Sequence, residues 1–222
     1  MAHSQQSEFI SIVRKHLSEF FIGKRVLEIG SLDLGGTIRS NFTNCEYIGA
    51  DVSKGPGVDI ARQGQLLDFP TGHFDVTVSC ECFEHNPWWV ETFINMLRMT
   101  REGGLVVMTC ATSCRAEHGT TRSLPNSSPL TVEMGWDYYR NLTERDIRRH
   151  IPLYNWFDDY VFISSSEHYD LYFVGRIKSG GNLPDAMKAQ LQTRFSPWGT
   201  TRRAFKYMKM TLSGFFGHSV RN

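Results

Sequence analysis

The chain has 222 residues, of which 41% are hydrophobic and 21% charged, and its formal net charge is +1. This is enough chain for one α/β domain with a sizeable core and a modest extension. No apolar run approaches the roughly 18 residues that would cross a bilayer, and the opening MAHSQQSEF lacks the basic-then-apolar pattern of a signal peptide. A cytoplasmic protein is expected. The five cysteines (Cys45, Cys80, Cys82, Cys110 and Cys114) are odd in number and sit mostly in apolar, strand-like segments, which reads as reduced, buried thiols rather than a disulfide framework.

In chain order, Phe9, Val13, Leu17 and Phe20 recur at helical spacing, so residues 4–21 read as an amphipathic helix packed on the α/β body. The apolar run 25–29 (RVLEI) ends in Gly30 and a Gly-rich turn, and residues 37–42 are expected to begin a helix behind it. Residues 46–50 (EYIGA) close on Asp51 as a second strand. Residues 74–80 (FDVTVSC) and 105–111 (LVVMTCA) add two more, with a helix over 89–101 between them. Strands that are apolar throughout and alternate with helices imply a parallel sheet covered on both faces, with ligands at the carboxyl ends of the strands. Residues 142–151 (LTERDIRRHI) carry a Thr143 cap and helical spacing. The β runs DYVFISSS and YDLYFVGRI, separated only by Glu167 and His168, favour an antiparallel hairpin at the sheet edge.

Two segments stand apart in composition. Residues 115–141 are long for a connector, their first twenty rich in Thr, Ser, Pro and Asn, and read as a lid. Residues 181–222 carry seven basic side chains against the single acid Asp185, a net of +6 that leaves −5 for the body 1–180. Within this extension a first helix from Asp185 is expected to break at residues 195–199. A second, over residues 202–216, aligns Phe205, Met208, Leu212 and Phe216 on one stripe. A basic amphipathic helix suits a homodimer interface, an anionic surface or the cover of the catalytic body. Nucleic acid is disfavoured, because no known binding module appears and the body is acidic.

The run Val26-Leu27-Glu28-Ile29-Gly30-Ser31, followed by Gly35 and Gly36, puts an acid on the first strand and glycines where the backbone must turn tightly. With Asp51 and Val52 in YIGADVS, with LLDFP and FDVTVSCECFEH, and with the later elements GPGVDI (residues 55–60), REGG (101–104) and EHG (117–119), the ordered series over residues 22–178 resembles the class I, Rossmann-like methyltransferases that use S-adenosyl-L-methionine. Taken singly, Gly30 is a strand-end turn and Asp51 a helix cap. A nicotinamide dehydrogenase fits less well, since Gly-x-Gly-x-x-Gly is absent and Glu28 is then unexplained. The resemblance implies a three-layer α/β sandwich with a mostly parallel seven-stranded sheet, an antiparallel edge hairpin, an N-terminal helix and a C-terminal helical extension. It also implies that Gly30, Ser31 and Gly35 pass the methionine part of the cofactor, with Glu28 organising that loop. Asp51, next to Val52, would take the ribose hydroxyls; Leu67, Asp68 and Phe69 would meet the adenine; Glu81 would line the cleft beside the methyl donor. Many members have Gly-x-Gly-x-Gly where this chain has Leu32 two residues after Gly30.

Methyl transfer to a hydroxyl needs an aligned acceptor and a proton acceptor. His118, after the fifth strand, is the favoured base and His85, after the fourth, the runner-up; the plain alternative for each is a loop histidine bonded to backbone. Trp136, Tyr138, Tyr139, Arg140 and Asn141 combine stacking faces with polar groups suited to a polar small molecule or glycan unit, or they simply pack the lid down. Trp88 and Trp89 frame the pocket or belong to the core. No metal site is assigned: Cys-x-Cys and Cys-x3-Cys are not zinc spacings, and the spacing of Glu81, Glu117 and Asp137 does not demand an ion. The expected activity is O-methylation; methylation of RNA or protein, and cofactor binding without transfer, are the alternatives.

Overall fold

A computed structural model describes residues 4–196. The elements are α1 (Ser4–His16), β1 (Arg25–Ile29), β2 (Glu46–Asp51), β3 (Ile60–Ala61), β4 (Phe74–Cys80), α2 (Trp89–Met99), β5 (Thr100–Ala111), α3 (Pro129–Glu133), α4 (Glu144–His150), α5 (Leu153–Trp156), β6 (Phe157–Ser164), β7 (Asp170–Ile177) and α6 (Asp185–Phe195). The seven strands form one sheet in the order β3-β2-β1-β4-β5-β7-β6. The first five run parallel, while β7 is antiparallel to both β5 and β6. The α/β sandwich and its edge hairpin are therefore as the sequence pattern implied.

Alternation along each strand divides the core in two. One face (Leu27 and Ile29 of β1, Val106 and Met108 of β5) packs under Phe93, Met96 and Leu97 of α2 and Ile147 of α4. The other (Val26, Val76, Val78, Leu105 and Val107) packs under Phe9, Ile10 and Val13 of α1 and Met187, Leu191 and Phe195 of α6. α6 is also tied to α1 by Arg194 to Glu8 at 2.6 Å and His16 to Gln190 at 2.8 Å. The first helix of the expected extension thus belongs to the body's second core. The stripe on residues 202–216, with its expected dimer or anionic-surface contact, lies outside the described residues.

Local differences from the sequence reading have simple causes. The N-terminal helix ends at His16 and continues as a 3-10 turn over Ser18–Phe20. The helix expected over 37–42 is only a 3-10 turn, Arg39–Asn41. Thr37 Oγ1 accepts from the Arg39 N–H and the Asn41 side chain donates to the Ile38 carbonyl, local bonds that compete with helix propagation, and Asn44 is left-handed at φ 54°. By contrast α4 starts on Thr143 with a full capping box, the Asp146 N–H donating to Thr143 Oγ1 and the Thr143 N–H to the Asp146 carboxylate. Among the described residues no helix is long and apolar enough to cross a membrane.

The registry places function. Ile29 pairs with Ala50 on one side and with Ser79 on the other, so Gly30, Asp51 and Glu81 emerge together from the carboxyl ends of β1, β2 and β4. The strand order reverses about β1, which is the switch point where an open α/β sheet leaves a crevice.

Candidate active site

The first wall of the crevice is built around the β1–β2 ends. Gly30 has φ 82° and donates its N–H to the Ala50 carbonyl at 2.9 Å. A Cβ there would lie 2.5 Å from Cys82 Cβ, so glycine lets the ends of β1 and β4 close on each other. Asp51 Oδ2 accepts from the Leu32 N–H at 3.0 Å and Oδ1 from the Val52 N–H at 2.7 Å. Burial raises the Asp51 carboxyl and these two amides oppose that shift. The position of the missing glycine, Leu32, is thereby fixed by its N–H while the residue lines the crevice.

The GPGVD stretch buttresses the same turn. The Pro56 carbonyl accepts from the Asp33 N–H at 2.8 Å, the Asp59 carboxylate accepts from the Gly49 N–H at 2.7 Å, and Asp59 pairs with Arg39. Gly35 and Gly36 both donate to Asp33 Oδ1 at 2.8 Å. Ser31 is buried behind this turn. Glu28 is buried as well, accepting from the Tyr47 hydroxyl at 2.7 Å, and burial lifts its carboxyl to about 7 despite that bond.

The second wall follows β4. Glu81 is left-handed at φ 51°, unusual for a residue with a side chain and a mark of local strain. Its Oε1 accepts from Thr109 Oγ1 at 3.0 Å, while Oε2 is buried with no partner. A 3-10 turn, Phe83–His85, then drives Glu84 and His85 inward. Glu84 is fully buried; Oε1 accepts from the Ala111 N–H at 3.2 Å and Oε2 has no partner. Burial, and then the neighbouring Glu81 charge, push its carboxyl well above the usual range. His85 is buried with Nδ1 unpartnered, and burial reinforced by His118 lowers it to about 3.

His118 is half-buried, its Nδ1 3.0 Å from the Ala116 carbonyl, and burial lowers its pKa too. The rings of His85, His118 and Tyr139 pack edgewise and tilted, with centroids 4.9–5.5 Å apart. Gly119 explains the glycine of the EHG element: at φ 64°, a Cβ would sit 2.6 Å from His85 Cε1.

Two adjoining hollows result. The inner crevice is lined by Gly30, Leu32, Leu34, Asp51, Cys80, Glu81, Cys82 and His85, and is roofed by residues 127–131. The outer chamber is lined by Glu81, His85, Arg115, Ala116, Glu117, His118, Leu124 and Ser127. Glu81, His85 and Ser127 face both, so a group bound in one hollow meets the other across these side chains.

Several expected residues fall elsewhere. Leu67, Asp68 and Phe69 do not line the crevice: Leu67 is core, Asp68 is exposed and pairs with Arg62 at 3.1 Å, and Phe69 packs on His73 and Phe74. Of the aromatic lid cluster, Tyr139 reaches the histidines and donates to the Ala116 carbonyl at 3.1 Å. Arg140 pairs with Asp146, Asn141 holds the Arg115 carbonyl, and neither Trp136 nor Tyr138 lines a hollow. Trp89 is core and Trp88 exposed. Glu117 and Asp137 both pair with Arg122 and do not join Glu81. Sequence reasoning missed Leu32, Leu34, Cys80 and Cys82 as crevice residues, and Glu84; the roof 127–131 lies within the expected lid 115–141. The one available signal for Glu84 was its position in CFEH, a carboxylate between an aromatic and a candidate histidine.

No protein-family profile matches the chain, and no curated protein matches it in sequence. Solved structures do match it. The 1,6-didemethyltoxoflavin-N1-methyltransferase of Burkholderia thailandensis, solved with 1,6-didemethyltoxoflavin and S-adenosylhomocysteine, aligns with a TM-score of 0.54 and 15% identity over 78% of this chain and 77% of that one. The phosphoethanolamine N-methyltransferase 2 of Haemonchus contortus, solved with phosphomonomethylethanolamine and S-adenosylhomocysteine, aligns at 0.52 and 16% identity. That match covers 77% of this chain and only 52% of that one. The fold is that of the class I methyltransferases. At these identities the likeness is one of architecture.

Proposed function

We propose that the protein is an S-adenosyl-L-methionine-dependent O-methyltransferase acting on a polar small molecule or sugar unit in the cytoplasm. The observation that carries the reading is the placement of Asp51 and Glu81 in one crevice with Gly30, at the switch point of a class I methyltransferase fold. The crevice suits the cofactor: each Asp51 carboxylate oxygen already holds one backbone N–H and keeps a lone pair for a ribose hydroxyl. Gly30, Ser31, Gly35, Val52 and Glu28 shape that turn and act on the cofactor through its backbone. Leu67, Asp68 and Phe69 retain the adenine role only as the edge of the same site.

When bound, the cofactor supplies a methyl group on a positively charged sulfur. The chain's own residues do the rest. The outer chamber orients the acceptor beside Glu81, the roof 127–131 excludes water, and His118 and His85 handle the acceptor's proton, His118 being the less buried of the two. Tyr139 packs on both imidazoles and keeps them in place, while Trp136, Tyr138, Arg140 and Asn141 hold the lid on the body.

Calorimetric titration with S-adenosylhomocysteine tests the reading. One saturable site is expected, weakened at least tenfold, about 1.4 kcal/mol, by Asp51→Ala. A well-folded wild-type protein that does not bind would overturn it.

A further inference from the structure

Glu84, His85 and His118 each bring one ligand atom to a common point in the wall between the two hollows, all within 4.8 Å of one another. Two of the three residues are buried, Glu84 at 0% and His85 at 4% exposure, and on both an atom is left without any hydrogen-bond partner: Glu84 Oε2 and His85 Nδ1. A buried polar atom with no partner is costly; Glu84 Oε2 has only the Glu81 carboxyl beside it, and the clustering of Glu84 with the two imidazoles leaves room for a common occupant. The third is already oriented: His118 directs Nδ1 at the Ala116 carbonyl, which leaves Nε2 as its ligand atom.

We propose that Glu84, His85 and His118 form a binding site for one divalent transition-metal cation, whose open coordination positions face the outer chamber. Two imidazoles and a carboxylate suit ions such as Mn2+, Co2+ or Zn2+. Bond lengths near 2.1 Å place neighbouring ligand atoms about 3 to 3.5 Å apart, so the cluster closes by side-chain adjustments on the order of an ångström. Charge fits as well. Glu81, with its own buried and unpartnered Oε2 beside Glu84, supplies the second negative charge that balances a dication, while Arg115 of the same chamber is engaged by Asp170. The supports behind the ligands are in place: the Ala111 N–H holds Glu84 Oε1, the Arg140 N–H holds the Glu84 carbonyl, and the bare Gly119 lets the loop bearing His118 close on His85.

The inference rests on the proposed function and sharpens it. With the ion in place His118 and His85 are both ligands, and the proton-accepting role that the proposed function gives them passes to Glu81. The ion would act as a Lewis acid on an acceptor hydroxyl in the chamber, and Glu81 Oε2, beside Glu84, would take the hydroxyl proton. The oxygen then forms a bond to the methyl carbon of the cofactor as the carbon–sulfur bond breaks, and the electron pair leaves on sulfur to give the neutral thioether.

Full-length protein stripped with a chelator is titrated with Mn2+, Co2+ and Mg2+ by equilibrium dialysis and metal analysis, with the visible spectrum of the Co2+ form recorded. One Mn2+ or Co2+ per chain is expected, preferred over Mg2+, with a Co2+ spectrum that shows nitrogen ligation. His118→Ala, a half-buried position whose folding is checked by its melting curve, is expected to weaken ion binding at least tenfold while S-adenosylhomocysteine binding moves less than threefold. Glu84→Gln is expected to weaken the ion similarly. An S-adenosylhomocysteine-binding protein that takes up no ion overturns the metal site and leaves the proposed function standing. So does equal ion uptake by wild type and His118→Ala. Ion uptake by a protein that binds no S-adenosylhomocysteine has the opposite meaning: the metal site stands and the proposed function falls.

Discussion

The two walls of the crevice solve the same problem in opposite ways. Around Asp51 the carboxylate oxygens are met by the Leu32 and Val52 amides, and the turn beneath is braced by Pro56, Asp59 and Asp33. Around Glu84 and His85, polar atoms just as deeply buried are left without partners. In the Asp51 wall the buried Ser31 Oγ alone among the described side-chain polar atoms lacks a partner, so this wall presents a nearly fixed shape. The Glu84 wall is incomplete, and its folded geometry makes sense once an ion, or a proton shared with Glu81, occupies it.

Four substitutions break or sharpen this contrast, in decreasing order of expected effect. Gly30→Ala puts a Cβ 2.5 Å from Cys82 Cβ at a φ of 82°, and is expected to lower stability by about 3 kcal/mol, read by urea unfolding. Glu28→Gln keeps an acceptor for the Tyr47 hydroxyl but removes a carboxyl lifted to about 7. A folded pKa raised above the unfolded value makes the native state lose stability as pH climbs from about 4.5 to 7, where the unfolded chain ionises first. The variant is therefore expected to match wild type near pH 4 and to exceed it by about 3 kcal/mol at pH 8, compared by melting at the two pH values.

Asp51→Asn keeps an acceptor for one of the two backbone N–H groups, sets its own NH2 against the other, and removes the charge. It is expected to weaken S-adenosylhomocysteine several-fold and to leave Mn2+ uptake unchanged, which dialysis of the same sample measures. Arg122→Ala unties Glu117 and Asp137 on the exposed lid, side chains 34–57% accessible. Its effect on the melting temperature is expected to be the smallest of the four. An effect confined to the KM for the acceptor would separate the lid from both walls.

The apolar runs of β1, β2, β4, β5 and the edge hairpin were legible because a strand buried on both faces, or alternating at an edge, leaves a periodic mark in the chain itself. The Thr143 cap of α4 was legible for the same local reason, as were Gly30 and Asp51 at their strand ends. Residues 37–42 misled because a helix was expected from their place after the Gly-rich turn, without weighing the turn-forming Thr, Ser and Asn among them. What only the tertiary structure decided is which distant segments meet. Residues 127–131, far along the chain, roof a crevice begun at Gly30; α6 completes the core under α1; and Gly119 lies against His85 because the lid folds back across β4. Glu84 shows the limit most clearly. Its identity is written in the chain, but its unpartnered oxygen exists only because the turn after β4 and the end of β5 close on it. Such contacts depend on packing between residues far apart in sequence, for which local periodicity carries no signal.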